Sequence, residues 1–413
     1  NYIARCQSFL QQGRPDNDVL VYYPLFDSFS QPGRELLKHY DALRPDFTNT
    51  GFEAVSEEML RSGYTFDFIS DKQIMNLQSK DNALLTGGSA YKTIILPACK
   101  YIPAETFARL MDMARKGATV VVYKKLPDSV PGYGSLAARQ QQFKELLSAL
   151  NFTTGNDGVK VAAIGKGRVL LADELVPLLN VANVSREAMT DMGLQFVRRY
   201  YKNGNSYFIA NKSDKAVQTW VPLSVKAGSA VIFNPMTKAY GLAAIKRDAR
   251  GNSVYLQLQP GESCILQTTA AAVKTGKYAY YHPAGESTAI AGNWNISFIS
   301  GGPVLPKAVN TSQLRSWTEF DGDAVKAFSG TAKYTTTFKK PQQKAVMWQL
   351  DLGKVYASAD VYLNGIKLAT LLGPEYQVNI PAALLKPVNK LEIKVANLMA
   401  NRISDMDRKN IPY

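Results

Sequence analysis

Apolar residues along this chain change their period twice, and each change marks a change of architecture. Up to about residue 172, short continuous apolar runs at residues 18–23 (DVLVYY), Phe66–Ile69, Thr93–Leu96 and Thr119–Tyr123 alternate with helical patterns at 52–61, 105–115 and 137–150. Gly63 and Gly117 close the first two helices. Continuous runs of this length suit strands covered on both faces, and their alternation with helices predicts right-handed crossovers and a doubly wound, mainly parallel sheet. From Leu194 onward the helices cease, and strands at 196–201, 207–211, 219–223, 230–234, 254–258 and 263–268 follow one another directly. Turn signals at Asn203-Gly204, Asn234-Pro235 and Pro260-Gly261 fit a small antiparallel sandwich. After the small-residue run 268–273 a third pattern begins, with strict alternation at Trp348, Leu350 and Leu352, at Val361 and Leu363, and at Leu391, Ile393 and Val395. Asn364-Gly365 predicts a tight hairpin pairing 360–363 with 366–368.

The expected organisation is therefore multidomain α/β plus all-β. Residues 1–15 read as a terminal helix, with Ile3, Phe9 and Leu10 on one side and Gly13 as its stop, and 16–172 as the αβ domain. Residues 173–272 read as a linker helix over 173–191 followed by the sandwich, and 273–413 as a second all-β domain. A chain of 413 residues is too long for one core, in keeping with about two to four domains. Gly87-Gly88 and the stretch 127–134 (PDSVPGYG) read as loops.

Composition narrows the function classes only a little. Hydrophobic residues make up 46% and charged residues 20%, and no apolar run reaches the length of a membrane span. The net charge of +14 is spread along the chain without a basic cluster, which argues against nucleic acid as a partner. The chain opens inside a helical pattern, NYIARCQSFLQQ, without a signal-peptide pattern, and is read as the later part of a longer polypeptide. Cys6, Cys99 and Cys264 are odd in number and far apart in apolar contexts, so buried free thiols are expected. With His39 and His282 in unrelated stretches, a zinc site of His and Cys is not expected.

The residues themselves bear on three kinds of chemistry. The loop after 18–23, PLFDSFSQPG, lacks a G-x-G-x-x-G, a Walker lysine and a helix start that would hold a phosphate. Cys99, in ILPACK after a strand, is the one thiol at a strand end, but no histidine base accompanies it within the αβ domain. Class I glutamine amidotransferases share this fold type, and their nucleophile follows the strand corresponding to Thr119–Tyr123. Here that position reads Lys124-Lys125-Leu126, so packing is the reading for Cys99. The carboxylate pairs Glu57/Glu58, Asp321/Asp323 and Asp405/Asp407 are the candidates for glycoside hydrolysis. The first points apart on a helix and the others fall in turn-like or terminal stretches. Asp321-Gly322-Asp323 also offers oxygen ligands for a structural Ca²⁺.

The wording of the last third is specific. A LDLG strand, a VYLNG hairpin, a GP turn, LLKP.N.LEI and the closing NLMANRI resemble the galactose-binding-like jelly roll of multidomain glycoside hydrolases. The ordered series SWT, FSGTAKYTTTF, W.LDLGKV, VYLNG, GP and NLMANRI resembles the C-terminal region of the family 106 glycoside hydrolases, the α-L-rhamnosidases and their relatives. Upstream, YIARCQSFLQQGRPDNDVL, YKTIILPACKYIP, GLQFVRRY, YFIAN and LQPGESCIL resemble the segments that join and follow that family's catalytic barrel. The resemblance implies a flavodoxin/class I glutamine amidotransferase-like αβ domain, a β-sandwich and a galactose-binding-like jelly roll. It further implies a (β/α)₈ barrel upstream in the same polypeptide, which carries the glutamate acid and base, and residues 1–13 as that barrel's last helix. No glutamate of this chain matches the catalytic positions, so no catalytic residue is carried over. A periplasmic or extracellular location is also implied.

Sugar sites combine an aromatic platform with planar amides or Arg. On residue type, Trp294, Trp317, Tyr376, Asn397, Asn401 and Arg402 are the binding candidates, with 397–402 expected as a loop beyond the last strand. Three functions stay open on the sequence: an accessory region of an α-L-rhamnosidase-like glycoside hydrolase, an independent carbohydrate-binding protein, and an enzyme acting through the αβ domain.

Overall fold

The computed structural model describes residues 1–30, 47–155, 157–202, 204–249, 251–282, 284–373 and 376–412. His39, Asn203 of the expected Asn203-Gly204 hairpin and Pro374 of the GP turn lie outside the described residues. The chain forms two compact units, Asn1–Ala279 and Tyr280–Tyr413.

The first unit is built on a seven-stranded sheet. Its order is Phe66–Ile69, Val19–Tyr22, Thr93–Leu96, Thr119–Tyr123, Gly167–Ala172, Lys160–Ile164 and Thr153–Thr154. The first five strands are parallel and the last two antiparallel. The period of two along each strand divides the core between the two faces. Leu20, Tyr22, Ile94, Leu96, Val120 and Val122 meet Phe107 and Leu110 of helix Ala104–Arg115 and Phe143 of helix Leu136–Ser148. Val19, Val21, Ile95 and Val121 meet Val55 and Met59 of helix Gly51–Ser62 and Leu175, Leu178 and Leu179 of helix Leu175–Val181.

The expectation of a linker over 173–191 is corrected by that last contact. Leu175, Leu178 and Leu179 lie at i, i+3 and i+4, so they form one apolar stripe, and the helix packs on one face of the sheet. Helix Gly51–Ser62 starts at Thr50, whose hydroxyl accepts from the Glu53 N–H, and stops at Gly63 with φ +80°. Gly87-Gly88 turns out to join strands Ala83–Thr86 and Ser89–Tyr91 of a three-stranded antiparallel sheet. The loop after Val19–Tyr22 also departs from expectation, because a five-residue helix, Leu25–Phe29, begins there. Its first turn carries Asp27, whose charge opposes an anion at that end.

The rest of the first unit is a β-sandwich. Strands Arg14–Pro15, Leu194–Tyr201, Gly204–Asn211, Ser263–Thr269, Ser229–Phe233 and Tyr240–Leu242 form one sheet, and Val217–Leu223, Gly251–Leu258 and Ile245–Asp248 another. Arg14–Pro15 pairs with Leu194–Tyr201, so the segment before the αβ layer belongs to the sandwich. Helix Tyr2–Leu10 packs there as well. Tyr2 Oη lies 2.6 Å from Ser263 Oγ, Arg5 Nη1 donates to the Pro235 carbonyl at 2.6 Å, and the Phe9 and Phe233 rings are 5.2 Å apart. Cys6 is its buried residue and Ile3 is exposed, which corrects the expected apolar side.

The second unit has a six-stranded antiparallel sheet, ordered Val309–Thr311, Trp294–Gly302, Ser329–Lys339, Val388–Ala396, Ser358–Leu363 and Ile366–Leu372. A two-stranded sheet pairs Met347–Asp351 with Gln377–Pro381. The Asn364-Gly365 hairpin forms as its sequence requires, with φ of +54° and +85° and Leu363 opposite Ile366. Residues 400–402, expected in a loop, instead open helix Ala400–Arg408.

Candidate functional site

In chain order the parallel strands are arranged 2-1-3-4-5, so the sheet changes its direction of growth between Val19–Tyr22 and Thr93–Leu96. Open α/β sheets place ligand crevices outside the carboxyl ends of the strands at such a point. Here that edge is stitched together by its own side chains. Asp27 accepts from the backbone N–H groups of Lys100 at 2.8 Å and Tyr101 at 2.7 Å. Asp71 Oδ1 accepts from Tyr22 Oη at 3.0 Å and Thr106 Oγ1 at 2.7 Å. Burial holds the Asp71 carboxyl above its ordinary value, against the pull of both hydrogen bonds.

Cys99 lies beneath this edge at 1% exposure. Burial first, then the Asp27 charge, pushes its thiol far above the ordinary value, and nearby Lys125 offsets this only in part. A thiol so placed is not the thiolate that nucleophilic chemistry needs. Directly after strand Thr119–Tyr123, Lys124 has φ +68° and sets its ammonium 5.0 Å from the centre of the Tyr123 ring.

A denser polar cluster joins the αβ layer to the sandwich inside the first unit. Arg198 Nη1 donates to Glu187 Oε1 at 3.0 Å and to Ser224 Oγ at 2.9 Å, and Nη2 donates to Asp18 Oδ2 at 3.0 Å. Its Nε lies 2.7 Å from Asp16 Oδ2 but lacks the alignment of a hydrogen bond, so that contact is Coulombic. Glu187 also accepts from Tyr207 Oη at 2.8 Å and from the Ser224 N–H at 2.9 Å. Burial works against the Arg198 charge, yet Tyr207, Asp16, Asp18 and Glu187 together hold its pKa above the ordinary value. With every buried side-chain polar atom but Arg198 Nε hydrogen-bonded and the charges matched, the cluster fits a structural junction. Sequence reasoning missed it, although Arg198 stands in the inward register of an alternating strand, LQFVRRYY, where an apolar residue belongs.

In the second unit the residues named from sequence divide into two groups. Trp294 is buried with Val361, Leu391 and Ile393, and Tyr376 packs at the margin of that cluster and donates to the Ala357 carbonyl at 2.7 Å. Trp317 is buried between Phe298 and Phe328 at ring distances of 5.6 and 5.5 Å, and its Nε1 donates to Tyr334 Oη at 2.5 Å. Both indoles therefore face the core, because their faces are already covered by apolar neighbours. Asn397 accepts from the Gly330 N–H at 2.7 Å and donates to the Phe328 carbonyl at 3.1 Å, and Asn401 donates to the same carbonyl at 3.3 Å. Arg402 lies 3.5 Å from Asp405, which also meets Lys409 at 2.9 Å and Arg408 at 3.7 Å. Trp317, Asn397 and Asn401 thus converge on Phe328 and its flanks, and Arg402 joins them through its N–H, which donates to Ser329 Oγ at 3.2 Å.

The carboxylate pairs are not arranged across a cleft. Glu57 is exposed, while Glu58 is engaged by Arg61 and Ser62 of its own helix. Asp405 is buried under three cations and Asp407 is exposed. Asp321 and Asp323 are both exposed around Gly322, and among the described residues no group of three or more His, Cys, Asp or Glu is placed to hold a metal.

Comparison with known proteins bears on the whole chain. The family model of the glycoside hydrolase 106 proteins, described as alpha-L-rhamnosidase, matches residues 1–242. The chain belongs to this family. Its fold is similar to that of a rhamnosidase from Novosphingobium sp. PP1Y, with a TM-score of 0.72 and 24% identity over 98% of this chain and 37% of that one. A curated relative, a putative beta-glucuronidase of Formosa agariphila, is 37% identical over 117 residues, which are 28% of this chain and 10% of the relative. A beta-galactosidase from Bacillus circulans sp. alkalophilus is a distant likeness, with a TM-score of 0.40 and 11% identity over 65% of this chain and 44% of that one. The chain thus spans about a tenth of the curated relative's length and little more than a third of the rhamnosidase's.

Proposed function

We propose that this chain is an accessory region of an α-L-rhamnosidase-like glycoside hydrolase, which supports a catalytic barrel on the same polypeptide and contacts carbohydrate. The family match over residues 1–242 is the observation that carries this reading. It is supported by the carboxylates themselves, since each candidate pair is divided between an exposed member and an engaged one or lies free at the surface. Acid and base catalysis of glycoside cleavage needs two carboxyls about 5–10 Å apart on either side of the scissile bond.

In this reading the parallel layer is flavodoxin/class I glutamine amidotransferase-like, which its 2-1-3-4-5 strand order supports. The second unit is a galactose-binding-like jelly roll, a reading that rests on its paired antiparallel sheets. Of the six residues named from sequence, Tyr376, Asn397, Asn401 and Arg402 are partly exposed, and the amides of the two asparagines are engaged at Phe328 and Gly330, so a sugar contact in that unit falls to Tyr376 and Arg402. No described helix is long and apolar enough to cross a membrane. A periplasmic or extracellular location suits the polysaccharide substrates of such a protein.

Hydrolysis of an aryl α-L-rhamnoside by the chain alone and by the polypeptide that carries the barrel is the test. Turnover is expected only from the latter. Turnover by the chain alone, abolished by a single Glu or Asp substitution within it, would falsify the accessory reading.

A further inference from the structure

A second polar feature of the first unit is used neither by the junction around Arg198 nor by the sheet edge. Between the end of helix Gly51–Ser62 and the end of helix Leu175–Val181 lies a cleft of about 430 Å³, lined by Tyr64, Val176, Asn180, Asn183, Val184 and Arg186 among others. Its walls are fixed by hydrogen bonds beneath them. The Glu187 N–H donates to the Gly63 carbonyl at 2.8 Å, the Val184 N–H to the Leu179 carbonyl at 2.9 Å, and Arg186 Nη1 to the Ser62 carbonyl at 3.0 Å.

The polar groups facing this cleft are mostly unused. Tyr64 is only 3% exposed, and among the described residues its hydroxyl has no hydrogen-bond partner, nor is it among the fully occluded polar atoms. A buried phenol usually finds a partner, so the unpaired hydroxyl of this cleft-lining tyrosine is a donor available to a ligand. Burial raises its pKa, against the pull of Arg186, so it remains a donor at neutral pH. Asn180 and Asn183 stand exposed at the rim of the cleft, and their side-chain amides make no hydrogen bond to the described residues, which leaves them open to a ligand as well as to water. Asn183 is held at φ +56°, with its N–H donating to the Asn180 carbonyl at 3.0 Å.

Charge decides what kind of ligand fits. Arg186 is already matched by Asp191, through Nη1 to Oδ1 at 2.9 Å and a second contact from Nη2 to Oδ2, so the cleft offers no spare positive charge for an anion. What remains is a neutral lining of planar amides and a phenol around the apolar side chains of Val176 and Val184. Amides and hydroxyls read the edges of a pyranose, and the valines suit its C–H face.

We propose that this cleft is a carbohydrate-binding site for one neutral sugar unit, with Tyr64, Asn180 and Asn183 as its hydrogen-bonding residues. Its choice of a sugar over another polyol rests on the accessory reading above.

The test is a ligand-observed saturation-transfer titration of the full chain with L-rhamnose, and with D-glucose for comparison. Binding is expected, and Tyr64→Phe and Asn183→Gly should each weaken it roughly three- to tenfold, the worth of one hydrogen bond. Both substitutions keep the local backbone, the first by retaining the ring and the second by tolerating positive φ, so the melting temperature should hold. Equal binding by parent and both variants, or no saturation transfer at tens of millimolar from either sugar, would overturn the site. Neither outcome touches the hydrolysis test, which is read from turnover.

Discussion

Arg198 and Glu187 meet at 3.0 Å with side chains only 4% and 0% exposed, which makes this one of the most deeply buried ion pairs of the chain. Glu187 comes from the segment that follows helix Leu175–Val181, and Arg198 from the first long strand of the sandwich. The pair therefore welds the αβ layer to the sandwich, and Asp16 and Asp18, just ahead of the first parallel strand, complete the contact.

Breaking one side of that pair should be expensive. Arg198→Ala leaves Glu187 buried without its cation and is expected to cost about 3–5 kcal/mol in urea unfolding. A loss under about 1 kcal/mol would show that the cluster is dispensable.

Asp71 gives a prediction about pH. Its folded pKa lies above the unfolded value of 3.8, so the folded state binds more protons in that window and stability falls as pH rises from 3.8 through the raised pKa. Asn can still accept from Tyr22 and Thr106 without a charge to desolvate. Asp71→Asn is therefore expected to remove that fall, read as melting temperature against pH. A variant curve parallel to the parent's would refute the assignment.

The three thiols should be silent in the native protein. Cys6, Cys99 and Cys264 are buried, and burial followed by Glu262 pushes Cys264 up to about 12. Alkylation by iodoacetamide at neutral pH is expected only after unfolding. Rapid modification of Cys99 in the folded chain would reopen the reading of that strand end as reactive.

The residues around Phe328 should separate by their stability effects. Trp317→Ala removes an indole packed on Phe298 and Phe328 and is expected to cost about 3–5 kcal/mol. Asn397→Ala leaves the Gly330 N–H and the Phe328 carbonyl without their side-chain partner and should cost about 1–3 kcal/mol. Arg402→Ala leaves Asp405, 5% exposed, with Arg408 and Lys409 still beside it, and should cost less than about 1 kcal/mol. An Arg402→Ala variant as unstable as Asn397→Ala would assign Arg402 to the fold and remove it from any sugar contact.

Much of this architecture could be read from periodicity. Phe66–Ile69, Thr93–Leu96 and Thr119–Tyr123 occupy the positions their apolar runs predict, and Asn364-Gly365 makes its hairpin, because strand burial and positive φ are local demands met by local residues. The upstream motifs, from YIARCQSFLQQ to YFIAN, likewise carried the family, whose model matches residues 1–242. Tertiary structure alone decided that helix Leu175–Val181 packs on a sheet face, that helix Tyr2–Leu10 lies on the sandwich, and that Trp294 and Trp317 are core. An indole suits a sugar platform and a packed interior equally well by type, and only its neighbours distinguish them. The same holds for Arg198, Glu187 and Tyr64. Whether a buried polar group is satisfied or left facing a cleft depends on partners brought together from distant parts of the chain, a relationship that residue type and spacing do not contain.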